Sequence, residues 1–351
     1  MKRIKRIKRI KNEFKVKDMA HNMHPGYISR DVKTLLYAGK SKHSKIHHFF
    51  INVGTIFRVR QSAGNIFIII PFLLLYIKYI KNNNIIKYGT SETLRKEYHI
   101  SIHRNIHKSI LNISDDEFGY YLAGLIEGDG YFSLQNQIII TFNIKDASLA
   151  YLIKKRLTFG NIYKIKDKNA INLIISNKKG ILKVLSLING KLRFLNKLEQ
   201  FNNLILKYKY TINTINLLDQ SNLLDNFWFC GFSEADASFQ IKIINRKTRK
   251  KPEIRLNFQI DQKTDYILLI IKNLFGGYIG FRKSQKSYYY GSTNFINANK
   301  LIKYFDKYHL QSTKYTSFIK WRKVYQFIQE KHHLKEKGIN KIMNIKKNLN
   351  N

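Results

Sequence analysis

The feature that most constrains this chain is a short phrase written twice. Leu122-Ala123-Gly124-Leu125-Ile126-Glu127-Gly128-Asp129-Gly130 is answered by Phe229-Cys230-Gly231-Phe232-Ser233-Glu234-Ala235-Asp236-Ala237. Each copy is largely apolar, carries small residues at its third and seventh positions, and closes on an acid. Small residues let two helix backbones approach closely. Gly124, Gly128, Gly231 and Ala235 therefore predict a helix–helix seam. If the helices pair about a pseudo-two-fold axis, Asp129 and Asp236 converge at its end. Carboxylates forced together repel unless a cation sits between them. Hard oxygen donors suit Mg²⁺ or Mn²⁺. Metal-bound acids beside a phosphodiester can activate water and stabilise the leaving oxygen.

The pattern downstream of each copy repeats as well. After the first, helical pattern at 120–127 leads to a hairpin at 131–144, a helix at 147–157, a strand pair from 160 to 175, and helices at 180–192 and 196–206. After the second, a helix at 226–235 leads to strands at 239–243 and 254–260, a helix at 266–274, strands from 277 to 290, and helices at 298–308 and 313–329. A repeat of this length is too long for a solenoid. It reads as a duplicated domain of helix, strand pair, helix, strand pair and helix. The division is 1–112 as a basic extension, 113–215 and 216–335 as the two halves, and 336–351 as a basic tail.

Composition narrows the partner. Among 351 residues, Lys and Arg number 63 against 23 Asp and Glu, a net charge of +40. Such a surface seeks a polyanion: DNA, RNA or anionic lipid. The abundance of Lys, Ile, Asn, Phe and Tyr also records AT-rich coding, which discounts the charge as a functional signal. One cysteine, Cys230, excludes an intramolecular disulfide and a multi-cysteine zinc site. The apolar run 66–77 is too short for a transmembrane helix, so no stable membrane insertion is expected. The Lys-Arg-Ile repeats at the N-terminus read as a solvated arm, and His103 and His107 as solvated histidines rather than metal ligands.

The paired phrase resembles the signature of LAGLIDADG homing endonucleases and their RNA-maturase relatives, over about residues 115–330. The first copy departs from that signature at Glu127 and Gly128. The second departs at Cys230, Ser233 and Ala237, with its acid Asp236 intact. Gly-Thr-Ser-Glu-Thr-Leu-Arg at 89–95 resembles a stretch preceding such domains in organelle intron reading frames. The resemblance implies an α/β (α+β) fold: two pseudo-symmetric αββαββα units forming a DNA-binding saddle, preceded by a basic N-terminal extension. It implies Asp129 and Asp236 as metal ligands. Lys197 resembles the first-half active-site lysine and Lys314 its second-half partner. Gln262 resembles a polar residue that orders water near the metals, with Ile144 in the equivalent first-half place.

Strand alternation sorts the sheet faces. Ser133 and Gln135 oppose Phe132 and Leu134; Gln240 and Lys242 oppose Phe239, Ile241 and Ile243; Arg255, Asn257 and Gln259 oppose Leu256, Phe258 and Ile260. Such polar types hydrogen-bond base edges in a major groove wide enough for a β-ribbon. Arg246, Lys247 and Arg249, in the loop 245–252, would hold phosphates. The leading expectation is a monomeric, internally pseudo-dimeric DNA endonuclease. It makes a double-strand break at a long asymmetric site in double-stranded DNA. The second is an RNA maturase acting on its host group I intron, possible in the same chain. The third, a membrane-surface protein, leaves the repeat unexplained. The family points to the mitochondrion, or to a plastid. A fragment starting near Ser114 is expected to fold and cleave.

Overall fold

The computed structural model describes residues 98–212, 214–247 and 251–349. The N-terminal arm, the apolar run 66–77, the stretch 89–95 and Arg249 lie outside these residues. The first half runs α1 (Asp115–Asp129), β1 (Gly130–Ser133), β2 (Gln137–Asn143), α2 (Ala147–Leu157), β3 (Asn161–Lys164), β4 (Ala170–Ile175), α3 (Lys178–Ile188) and α4 (Leu195–Tyr208). The second runs α5 (Trp228–Asp236), β5 (Ala237–Ile244), β6 (Glu253–Gln262), α6 (Tyr266–Phe275), β7 (Tyr278–Arg282), β8 (Ser287–Ser292), α7 (Phe295–Lys307) and α8 (Thr313–Gln329). A further helix, α9 (Glu336–Lys347), comes after them. Both sheets are antiparallel with the same order, β1-β2-β4-β3 and β5-β6-β8-β7.

Helix α1 starts at a capping box: Ser114 Oγ accepts from Glu117 N at 3.1 Å, and the Glu117 carboxylate accepts from Ser114 N at 3.0 Å. Asp115, Asp116 and Glu117 add negative charge at the positive end of the helix dipole. From Phe118 to Glu127 nearly every residue of α1 is buried. Such a helix has no solvent stripe, because its own sheet takes one side and α5 the other. The seam is tight. A Cβ on Gly124 would overlap the Trp228 carbonyl, one on Gly231 the Tyr121 carbonyl, and one on Gly128 the Ala235 side chain.

Two segments read as peripheral are structural. Residues 98–110 lie along the second half, and at Leu111 the chain passes to the first, where Arg156 Nη1 donates to Leu111 O at 2.8 Å. Ile100 and Ile110 enter the core, Ile100 N donates to Gln329 Oε1 (2.8 Å), and Arg322 Nη2 donates to Ser101 O (2.9 Å). Asn299 and Tyr325 both donate to Tyr98 O, at 2.8 and 2.6 Å. The boundary at 112 is therefore corrected: its residues complete the core of the half farther from them in sequence. His107 is solvent-exposed as expected, yet its ring lies 4.4 Å from that of Tyr315 and Nε2 lies 2.8 Å from Leu310 O. The basic tail is folded too. Helix α9 buries Ile342, Leu349 is buried beyond it, and Ser317 Oγ donates to Leu349 O at 2.8 Å.

Candidate active site

The ends of α1 and α5 carry the paired acids, and the register of the strand after each helix fixes where they sit. Gly130 pairs with Ile140 and Ala237 with Ile260, so the two copies enter their sheets identically. Asp129 and Asp236 come together. A Cβ on Gly128 would lie 3.1 Å from an Asp236 carboxylate oxygen. Burial raises both carboxyls above the ordinary aspartate range, and the Asp129 charge helps push Asp236 up to about 6. The Lys314 ammonium opposes both shifts.

Both expected lysines reach this place. Lys314 Nζ donates to Ala235 O (2.7 Å) and Ser233 O (3.2 Å); Lys197 Nζ donates to Gly130 O. Burial lowers both ammonium pKa values, opposed first by Glu127 at Lys197 and Glu234 at Lys314 and then by Asp129 and Asp236. The lysines are not strict equivalents. Lys197 binds the carbonyl just after its acid and Lys314 the carbonyl just before. Gln262 Nε2 donates to Asp236 Oδ2 at 2.8 Å. Its first-half equivalent is corrected by register: Gln262 pairs with Tyr288 as Phe142 pairs with Ile171, so Phe142 rather than Ile144 occupies that place. Ile144 lies in a 3-10 turn after β2. The Phe142 side chain offers no hydrogen bond, so Asp129 lacks the amide partner that Gln262 gives Asp236.

The sixth-position glutamates carry a role the sequence did not reveal. Glu127 accepts from Arg193 N (2.7 Å), Phe194 N (2.6 Å) and Trp228 Nε1 (2.6 Å). Glu234 accepts from Ser312 N (3.2 Å) and Tyr121 Oη (3.4 Å), and also from Gln311 N and Ser312 Oγ. Each acid thus ties the start of its own half's lysine-bearing helix to the other half's motif helix. Burial pushes Glu127 up to about 8 against those donors, and raises Glu234 likewise. An acid at helical spacing inside an apolar run was the available signal.

The sheet faces obey the alternation in part. Gln240, Arg255 and Gln259 are partly exposed; Lys242, Arg246 and Lys247 are exposed. Arg246 and Arg255 share Glu253, and Gln259 Nε2 donates to Asp261 Oδ2 at 2.8 Å. Asn257 is a correction: it is 0% exposed, and its amide donates to Gln240 Oε1 at 2.9 Å, so it braces Gln240 rather than reaching out. In the first half β1 stops at Ser133, and Leu134 is 82% exposed in the turn. Gln135 therefore stands at a hairpin tip, not on a strand face. Tyr131, exposed on β1, and the pair Thr141 Oγ1–Asn172 Oδ1 (2.9 Å) were missed. Among the described residues no helix is long and apolar enough to cross a membrane.

The LAGLIDADG endonuclease family profile matches residues 229–325. A Schizosaccharomyces pombe relative described as an uncharacterized cox1 intron-2 protein is 48% identical, covering 90% of this chain and 98% of its own. The Saccharomyces cerevisiae intron-encoded DNA endonuclease aI3 is 30% identical, over 68% of this chain and 71% of its own. The intron-encoded RNA maturase bI4 of the same yeast is 32% identical over 54% of this chain, but only 29% of the maturase is covered. Among solved structures, the meganuclease I-SmaMI bound to uncleaveable DNA superposes with a TM-score of 0.56 at 21% identity, covering 66% of this chain and 98% of that one. The LAGLIDADG homing endonuclease I-GzeII in complex with its DNA target gives 0.53 at 20%, covering 66% and 97%. At these identities the structures speak for the fold.

Proposed function

Since the chain belongs to the LAGLIDADG family of intron-encoded endonucleases, we propose that it is a site-specific DNA endonuclease that cuts both strands of a long asymmetric target. One observation carries the reading: two carboxylates from different halves are held together in a buried setting, each beside a lysine. A pure binding surface gains nothing from that repulsion. The all-oxygen donor set of Asp129 and Asp236 fits Mg²⁺ or Mn²⁺. When bound, such an ion supplies Lewis acidity toward the scissile phosphate. Gln262 orients an Asp236 oxygen. Lys197 and Lys314 place positive charge where a phosphodiester gains negative charge during hydrolysis.

Tyr131, Ser133, Gln135, Gln240, Lys242, Arg255 and Gln259 would meet base edges, and Arg246 and Lys247 phosphates. Because the halves differ in sequence, the target need not be a palindrome, and one chain suffices. The intron-encoded relatives suggest an organelle location, the mitochondrion first. The maturase relative supports a second reading, in which the same chain also assists folding of its host group I intron. The test is a cleavage selection of the purified full chain on a randomised duplex library with Mg²⁺. A single enriched asymmetric site, cut in both strands and lost with EDTA, is expected. Tight RNA binding with no cleavage of any duplex would replace this reading with the maturase one.

A further inference from the structure

Asp146 sits at the N-cap position of α2, where an aspartate ordinarily accepts from its own helix's backbone N–H groups. Here it makes no such cap. Its Oδ1 instead accepts from Thr313 N (2.9 Å) and Thr313 Oγ1 (2.7 Å) in the other half. Thr313 opens α8, and the next residue is Lys314. Asp146 also lies in the fields of Lys314 and Asp129. On the opposite side Asp265 holds the N-cap position of α6, likewise without a side-chain cap, but α4 opens on Leu195. Leucine has no hydroxyl, and Leu195 is 61% exposed. The tie therefore exists on one side of the pseudo-dyad only.

We propose that Asp146 is a positioning residue that acts across the interface: by latching Thr313 it fixes the start of α8 and sets Lys314 against one of the two scissile phosphates. This rests on the nuclease reading and adds to it an inequality between the strands. The phosphate served by Lys314 depends on the latch. The phosphate served by Lys197 does not, because the start of α4 is held within its own half and at the motif seam, by Glu127 on the Arg193 and Phe194 amides and by Arg193 Nη2 on Asp219 and Ser221 O (2.7 Å), with no tie from α6 among the described residues.

The experiment uses the full chain and the duplex recovered by the selection, end-labelled on one strand at a time, with single-turnover cleavage in Mg²⁺. Asp146→Ala and Thr313→Leu should slow one strand by about tenfold, as expected for a displaced catalytic group, and leave the other within about twofold. Nicked product then accumulates. Thr313→Ser, which keeps both donors, should restore the wild-type strand ratio. Asp146→Asn, which keeps the acceptor without the charge, should stay nearer wild type than Asp146→Ala. Equal slowing of both strands, with a lowered Tm, would show an ordinary structural bond and overturn the inference, as would an unchanged ratio in Asp146→Ala. A wild-type chain that cuts no duplex sinks the nuclease reading, and this inference with it. A wild-type chain that cuts while the ratio stays fixed sinks the inference alone.

Discussion

The two halves share one topology but achieve it with different materials. The first half fills its core with aliphatic side chains, among them Ile138, Ile140, Ile153, Leu173, Val184 and Leu185. The second stacks aromatics: Phe229 lies 5.0 Å from Phe275, and Phe239 lies 5.1 Å from Phe258 and 5.5 Å from Trp321. The first has short strands and a tight hairpin. The second has long strands β5 and β6, a basic loop, and added layers from residues 98–112 and α9. The second half is also the part that matches the family profile. Duplication therefore preserved the seam and the acids, while cores and outer layers diverged. A seam shared by two backbones admits no independent change, whereas side chains away from it can repack with their own neighbours.

The most severe way to probe this comparison is at the shared acids. Asp129→Asn or Asp236→Asn should each reduce cleavage by roughly 10³-fold or more, with duplex binding retained. Equal loss from either half is expected, since both acids serve one site. Stability should move the opposite way. Asp236 titrates at about 6 in the folded chain and near 3.9 when unfolded, so the folded form binds the extra proton between those values. Its ionisation costs stability as pH rises through that window, and the loss is complete above it. Thermal unfolding in metal-free buffer should show Asp236→Asn stabilised at pH 8 and level with wild type at pH 4.

Next in size is removal of residues 98–112. A chain beginning at Ser114 loses Ile100 and Ile110 from the second core and leaves Gln329 and Arg322 short of partners. At about 1.5–3 kcal/mol per fully buried aliphatic side chain, plus unpaired polar groups, the deficit reaches several kcal/mol, against a net stability of about 5–15 kcal/mol for a domain. Denaturant melts should show the second half unfolding first. A Ser114 fragment as stable as one starting at Tyr98 would refute the tie between these residues and that half.

Smaller effects compare the two reciprocal bonds. Trp228→Phe leaves the Glu127 oxygen without its 2.6 Å donor, at a cost of about 1–3 kcal/mol. Tyr121→Phe removes a longer bond, 3.4 Å, from a Glu234 that keeps its other donors, and should cost less than about 1 kcal/mol in urea unfolding. Smallest is Lys247→Ala, which should lower the slope of log affinity against log salt by about 1 without altering the cleavage site. Full-length affinity itself should fall roughly 10³–10⁵-fold between 50 and 200 mM salt if six to ten phosphates are held.

The repeated phrase makes the motif helices, the placement of an acid at the end of each, and the element order legible in the sequence alone. Helices α2 and α8 match the expected spans at both ends, because apolar periodicity and clear stops coincide there. What escaped was long-range. Nothing local in 98–112 shows that its backbone groups find Gln329, Arg322 and Tyr325. The fate of Asn257 depended on a neighbour, Gln240, across the hairpin. Gln135 was lost to a turn that alternation cannot see, since Leu134 extends the apolar pattern one residue past the strand. Glu127 and Glu234 were visible as residues but not as braces, because their donors come from the opposite helix and from the far end of each repeat.

The path of residues 98–112 has a consequence for recombining such enzymes. Just ahead of the first module the chain runs a leader segment that docks mainly on the module encoded last. A chimera that exchanged only the C-terminal module at the connection near residues 209–227 would bring in a new α7 and α8 while retaining the leader shaped for the old ones. The natural unit of exchange is therefore discontinuous: the second module travels with its leader, and the first is an insertion between them.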